Sequence, residues 1–184
     1  MNMPNFSLLL CAVFAALLAA APASLSAAEP TAELAEGRAY LQSDELQEHW
    51  QPCFKDRPAD RIAATRGLGT LLELIEVAQN AVDRKTDEEK AAALYGAKIS
   101  RMFDDFESVA NHGCGAAQAV IAVYYMVGVG RFRADRLESL KWIMLAEKSG
   151  FAPAQEYLKR EMSNYHAEDI ATARAMADAW RPRE

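Results

Sequence analysis

Apolar side chains recur every three or four positions through the body of the chain, and no stretch sustains a period of two, so the pattern predicts helices rather than strands. From Ile62 to Val82 the stripe Leu68, Leu71, Leu72, Ile75, Ala78 and Val82 forms one face of an amphipathic helix, whose first turns are weakened by Gly67 and Gly69. Thr86-Asp87-Glu88-Glu89 has the form of a capping box, with Thr86 accepting from the N3 amide while Glu89 reaches back. It opens a helix that buries Tyr95, Ile99, Met102, Phe106 and Val109 and ends at Gly113 and Gly115, which suit a C-cap. Residues 116–127 contain the β-branched run Val120 to Val127, which local preference alone could make a strand; the flanking alanines favour helix. Asp135 is an N-cap with Glu138 three residues on, its helix runs through Trp142 to Ser149, and Gly150 stops it. Pro153 fits the first turn of another helix. The last helix starts near Ala167, carries Ile170, Ala173, Ala177 and Trp180 on one face, and ends before Pro182. The expected fold class is all-α.

Composition adds what such helices can and cannot attract. The chain has 184 residues, of which 51% are hydrophobic and 25% charged, a globular balance. Its net charge of −6 provides no field for phosphate backbones, so general nucleic-acid binding is disfavoured and no nucleic-acid partner is expected. Residues 1–28 carry no charged side chain, and an apolar run from Phe6 to Ala21 leads through Pro22 to Ser26-Ala27-Ala28. This predicts a signal peptide cleaved after Ala28, with the mature protein periplasmic or secreted and not stably inserted in the membrane; an uncleaved membrane anchor is the alternative.

Cleavage removes Cys11 and leaves Cys53 and Cys114 in an oxidising compartment, where one disulfide is the simplest pairing. His49 near Cys53 and His112 near Cys114 offer a second reading, a tetrahedral zinc site made of the four residues. Pro52 interrupts the geometry that would put His49 and Cys53 on one helix face, and the expectation is a disulfide with no metal and no cofactor.

Internal similarity organises the C-terminal part. Gly113-Cys-Gly-Ala-Ala-Gln118 aligns with Gly150-Phe-Ala-Pro-Ala-Gln155, 37 positions later, close to the period of helix-pair repeats. The register continues through Tyr125, Gly128-Val129-Gly130, Asp135, Ser139, Trp142, Ala146 and Gly150. This run resembles the Sel-one-like repeat family, relatives of the tetratricopeptide repeats. One copy spans Gly113–Gly150 and a partial copy follows; the departures are a longer Gly128–Asp135 loop, Ala122 for the family's Gly and Ser139 for its Ala. The resemblance implies antiparallel helix-pair repeats in an α-solenoid with helical caps, and scaffold or assembly roles in the bacterial cell envelope. On that footing residues 29–112 are an N-terminal helical region and 113–184 the repeat region with its C-terminal capping helix. Small residues such as Ala117, Ala122, Ser139 and Ala146 would let helices approach closely while Tyr125 and Trp142 fill between layers.

The search for reactive constellations points away from an enzyme. Gly128-Val129-Gly130 lacks the lysine or third glycine of a phosphate loop, no serine lies in a nucleophile elbow, and the acidic clusters read as solvated helix faces. The most suggestive surface is Arg131-Phe132-Arg133, joined by Tyr124, since arginine and aromatic residues are enriched where partners dock. The competing readings are that Phe132 packs against an adjoining helix and that Tyr124 fills interhelix space. The expected function is an exported, non-enzymatic protein–protein interaction module that binds a protein or peptide of the envelope in a helical-repeat groove. An envelope metal-dependent hydrolase using His49, Cys53, His112 and Cys114, or a self-associating structural subunit, are the alternatives.

Overall fold

The computed structural model describes residues 38–39, 41–54, 57–81, 88–128 and 131–184. Residues 1–28 with the cleavage point after Ala28, together with Val82, Thr86 and Gly130, lie outside the described residues, as do the side chains of Ile75, Ala78, Glu89 and Tyr95. The elements are α1 (Asp44–Trp50), a 3-10 turn (Gln51–Phe54), α2 (Pro58–Ala81), α3 (Glu88–Asn111), α4 (Gly115–Val127), α5 (Arg136–Lys148), α6 (Ala152–Glu161), a second 3-10 turn (Met162–Asn164) and α7 (Ala167–Ala179). All described secondary structure is helical, and none of these helices is long and apolar enough to cross a membrane.

Neighbours in sequence are neighbours in space: α2 packs on α3, α3 on α4, α4 on α5, α5 on α6, and α7 returns to α5. The β-branched run resolves as helix because α4 is surrounded. Gly115 through Tyr124 are all buried, and a helix that is apolar on every side gains more from packing than strand propensity withholds. Small residues make the crowding possible. A Cβ on Gly115 would lie 2.9 Å from Phe151 Cβ and 3.1 Å from the Ala146 carbonyl oxygen, so α4 touches the end of α5 almost backbone to backbone. Ser139, buried on α5, donates its hydroxyl to the Ala122 carbonyl at 2.9 Å and so satisfies its one buried polar group.

Gly67 has a packing reason too. The Phe106 ring lies against it, and a Cβ there would stand 2.8 Å from Phe106 Cζ, whereas Gly69 has nothing within 4 Å. Beside this contact Arg66 Nε donates to the buried Asp105 carboxylate at 2.6 Å, tying α2 to α3. That hydrogen bond, more than the ion-pair attraction, pushes the Arg66 pKa up, with burial opposing it.

The 37-position similarity is matched bond for bond at two helix ends. Gly113 (φ 94°) and Gly150 (φ 83°) are left-handed. Gly113 N–H donates to the Ala110 carbonyl and Cys114 N–H to that of Val109; Gly150 N–H donates to Glu147 and Phe151 N–H to Ala146. Both are Schellman closures, with the next residue, Cys114 or Phe151, extended as the N-cap of the following helix. Gln118 explains its place in the pattern: fully buried, it donates to the Ala110 carbonyl of one closure and accepts from Ser149 Oγ of the other at 2.9 Å. Gln155, 37 positions later, is exposed.

Candidate functional site

Two hollows lie at opposite ends of the α4–α5 pair. The first, of about 330 Å³, gathers both Schellman closures under the N-terminal segment. Glu48, His49, Pro52 and Cys53 form its cover, Arg57 and Asp60 come from the start of α2, and His112 to Ala116 with Ser149 to Phe151 form its floor. Cys53 and Cys114 are joined there as a disulfide with a Cα–Cα distance of 5.1 Å, as the cysteine count predicts. The bridge fastens the 3-10 turn after α1 to the N-cap of α4.

The imidazoles take partners other than the sulfurs. His112 Nδ1 lies 2.8 and 2.9 Å from the two oxygens of Asp60, a carboxylate only 4% exposed, and the His49 ring meets Phe151 edge-on at 5.1 Å. The four-ligand zinc site is therefore corrected, because the two thiols it requires are bonded to each other. Among the described residues no group of three or more His, Cys, Asp or Glu side chains is placed to hold a metal ion. The metal-dependent hydrolase loses its proposed ligand set with it.

The second hollow, of about 470 Å³, lies between the turn before α5 and the turn after α6. Met126, Ala134, Asp135, Arg136, Ser139, Tyr157, Glu161, Asn164 and Tyr165 line it. Asp135 caps α5 by accepting from the Leu137 and Glu138 amides at 2.9 Å, which fixes where Arg136 leaves the helix. The Arg136 guanidinium lies 4.3 Å above the Tyr165 ring and donates to the Asn164 carbonyl. Tyr157 and Tyr165 hydroxyls stand 3.4 Å apart. Burial first, then that hydrogen bond, pushes the Tyr157 pKa far up, so its hydroxyl keeps its proton. Hydrogen bonds from Arg160 and Asn164 pull the Glu161 pKa down and keep that rim position anionic.

The expected docking residues separate into two kinds. Phe132 is 6% exposed, wedged against Phe103, Tyr124 and Tyr125 with ring centroids 5.1–5.6 Å away, so the packing reading is the observed one. Tyr124 is likewise corrected. It is fully buried, its hydroxyl has no hydrogen-bond partner among the described residues, and burial drives its pKa well up. Arg131 is exposed but pairs with Asp104 and Glu107 of α3, closing the loop over Phe132, and Arg133 is exposed. Tyr125 packs edge-on against Phe132 at 5.1 Å, and Trp142 meets Trp180 edge-on at 6.2 Å.

Arg136, Tyr157 and Tyr165 were not singled out by spacing, although an arginine after an N-cap Asp and two tyrosines bracketing a helix end were visible signals. The Asp60–His112 pair spans 52 positions and has no local signature. Compared with protein-family models, curated proteins and solved structures, the chain matches none.

Proposed function

We propose that this protein is an exported, non-catalytic docking module of the Sel-one-like type, in which stacked helix pairs hold a segment of a partner protein in the hollow bounded by Arg136, Tyr157 and Tyr165. The observation that carries the reading is the repeated closure at Gly113 and Gly150, with the same two hydrogen bonds at each. A chain that reuses one turn to stack consecutive hairpins gains an extended surface, which is how helical repeats recognise partners. The hollow adds an arginine and two tyrosines, residue types that concentrate binding energy at interfaces. Export is supported by the uncharged apolar leader and by a disulfide, a bond that persists in oxidising compartments. Arg133, exposed beside this hollow's turn, remains part of the proposed surface, with Arg131 fastening the loop behind it.

The test is capture of envelope proteins by the mature chain, followed by titration of whichever partner is retained. Arg136→Glu and Tyr165→Ala are expected to weaken binding about tenfold or more each, the usual size for a central interface residue. Equal affinity in wild type and both variants, with unchanged melting, removes the hollow from the interface. Capture of nothing by the wild type removes the docking role.

A further inference from the structure

We propose that Cys53–Cys114 is an exchangeable disulfide, in which an external thiol attacks Cys53 Sγ from the cleft and Cys114 leaves as a thiolate held at the N-terminus of α4. The two cysteines are buried to different degrees. Cys53 sits half-buried on the cover of the open cleft, while Cys114 is 5% exposed on its floor, so an incoming thiol meets Cys53 first. Cys114 is also the N-cap of α4, with the extended backbone of such a position (φ −72°, ψ 114°) and no side-chain hydrogen bond to the helix. An N-cap side chain accepts from the N2 or N3 amide, here Ala116 or Ala117, and a thiolate released at this place takes up that bond.

Among the described residues no carboxylate of α4 itself stands at this helix end, while the carbonyl end of α5 packs close to it at Gly115. Nothing on α4 itself neutralises its positive end. Of the cleft's other ionisable groups, Asp60 is bonded by His112, Glu48 and Arg57 carry opposite charges, and His49 packs on Phe151. A stabilised leaving thiolate accelerates exchange.

Opening the bridge takes one thiol and full reduction takes two, most simply both from one dithiol. Its first thiolate forms a mixed disulfide with Cys53 as the Cys53–Cys114 bond breaks and the electron pair departs on Cys114 Sγ. Its second thiolate then attacks its own sulfur of the mixed disulfide, forming a cyclic or intramolecular disulfide and releasing Cys53 as a thiolate that takes a proton. The dithiol is oxidised by two electrons, and the bridge between the 3-10 turn and α4 is opened.

Two measurements test this. Wild-type protein is incubated under native conditions with reduced glutathione, free thiols are trapped by alkylation, and the products are mapped by peptide mass spectrometry. Glutathione attached to Cys53 with alkylated Cys114 is expected; attachment to Cys114, or no exchange unless denaturant is added, overturns the proposal. In the Cys53→Ala variant, thiolate ultraviolet absorbance of Cys114 is followed against pH. The midpoint is expected at least one unit below the ~8.5 of a free thiol, a tenfold gain in thiolate, and a midpoint at or above that value overturns the helix-terminus role. The mapping uses the unaltered chain, so it decides even where the variant fails to fold.

Discussion

Cys53→Ala/Cys114→Ala unfolds about 4 kcal/mol more readily than the parent, as read by urea titration at neutral pH. The bridge spans 61 positions, and closing a loop of that length withdraws entropy from the unfolded chain, which the double variant regains. Its location adds a local effect. Cys114 stands at the N-cap of α4 without a side-chain bond to the helix, so Cys53→Ala/Cys114→Ser, which introduces an oxygen acceptor there, is expected to be about 1 kcal/mol more stable than the alanine pair. A loss below about 1 kcal/mol in the alanine pair would mean that the cover is held to the turns by packing alone. Identical stability of the serine and alanine forms would mean that the side chain at position 114 does not reach the helix amides.

Phe132→Ala is the second large effect, and it separates packing from docking. The ring is almost fully enclosed by Phe103, Tyr124 and Tyr125, so its removal leaves a cavity in the core between α3 and α4 and is expected to cost about 3–5 kcal/mol. Arg131→Ala, one position away, breaks pairs with Asp104 and Glu107 in which every side chain is at least 40% exposed, and is expected to cost under about 1 kcal/mol. Thermal and denaturant unfolding of the two variants measures the contrast. A Phe132→Ala variant as stable as Arg131→Ala would return the ring to the surface and revive it as a partner contact.

Where the pattern of residues is governed by local physics, it was legible. Asp135 as N-cap, Gly150 as the stop and Pro153 in the first turn of α6 all appear as expected, because each satisfies backbone groups within a few residues of itself. The disulfide was legible because a predicted leader removes the third cysteine and leaves one pair. Val120 to Val127 was ambiguous locally, since β-branching favours a strand; burial by α3 and α5, invisible in that window, makes it helical. Phe132 failed for a related reason. A loop aromatic between two arginines looks like a docking tip until Phe103, nearly thirty positions earlier, supplies the wall that it packs against. Asp60 reads as an ordinary first-turn carboxylate of α2, and only the approach of the α3 end turns it into the partner of His112. The hollow at Arg136, Tyr157 and Tyr165 depends on the angle at which α6 leaves α5, which periodicity does not encode.

The claim under all of this is that one turn is used twice to stack successive helix pairs, and Gly113→Ala and Gly150→Ala test it together. Neither glycine is crowded: a Cβ at Gly113 would meet Pro182 no closer than 3.7 Å, and at Gly150 nothing within 4 Å. The cost of alanine is then the left-handed backbone alone, about 1 kcal/mol at each site, with Asn costing less. Two equal losses in urea unfolding are the expected result. No loss at either site, or a loss at one and not the other, would contradict the shared closure and with it the repeat.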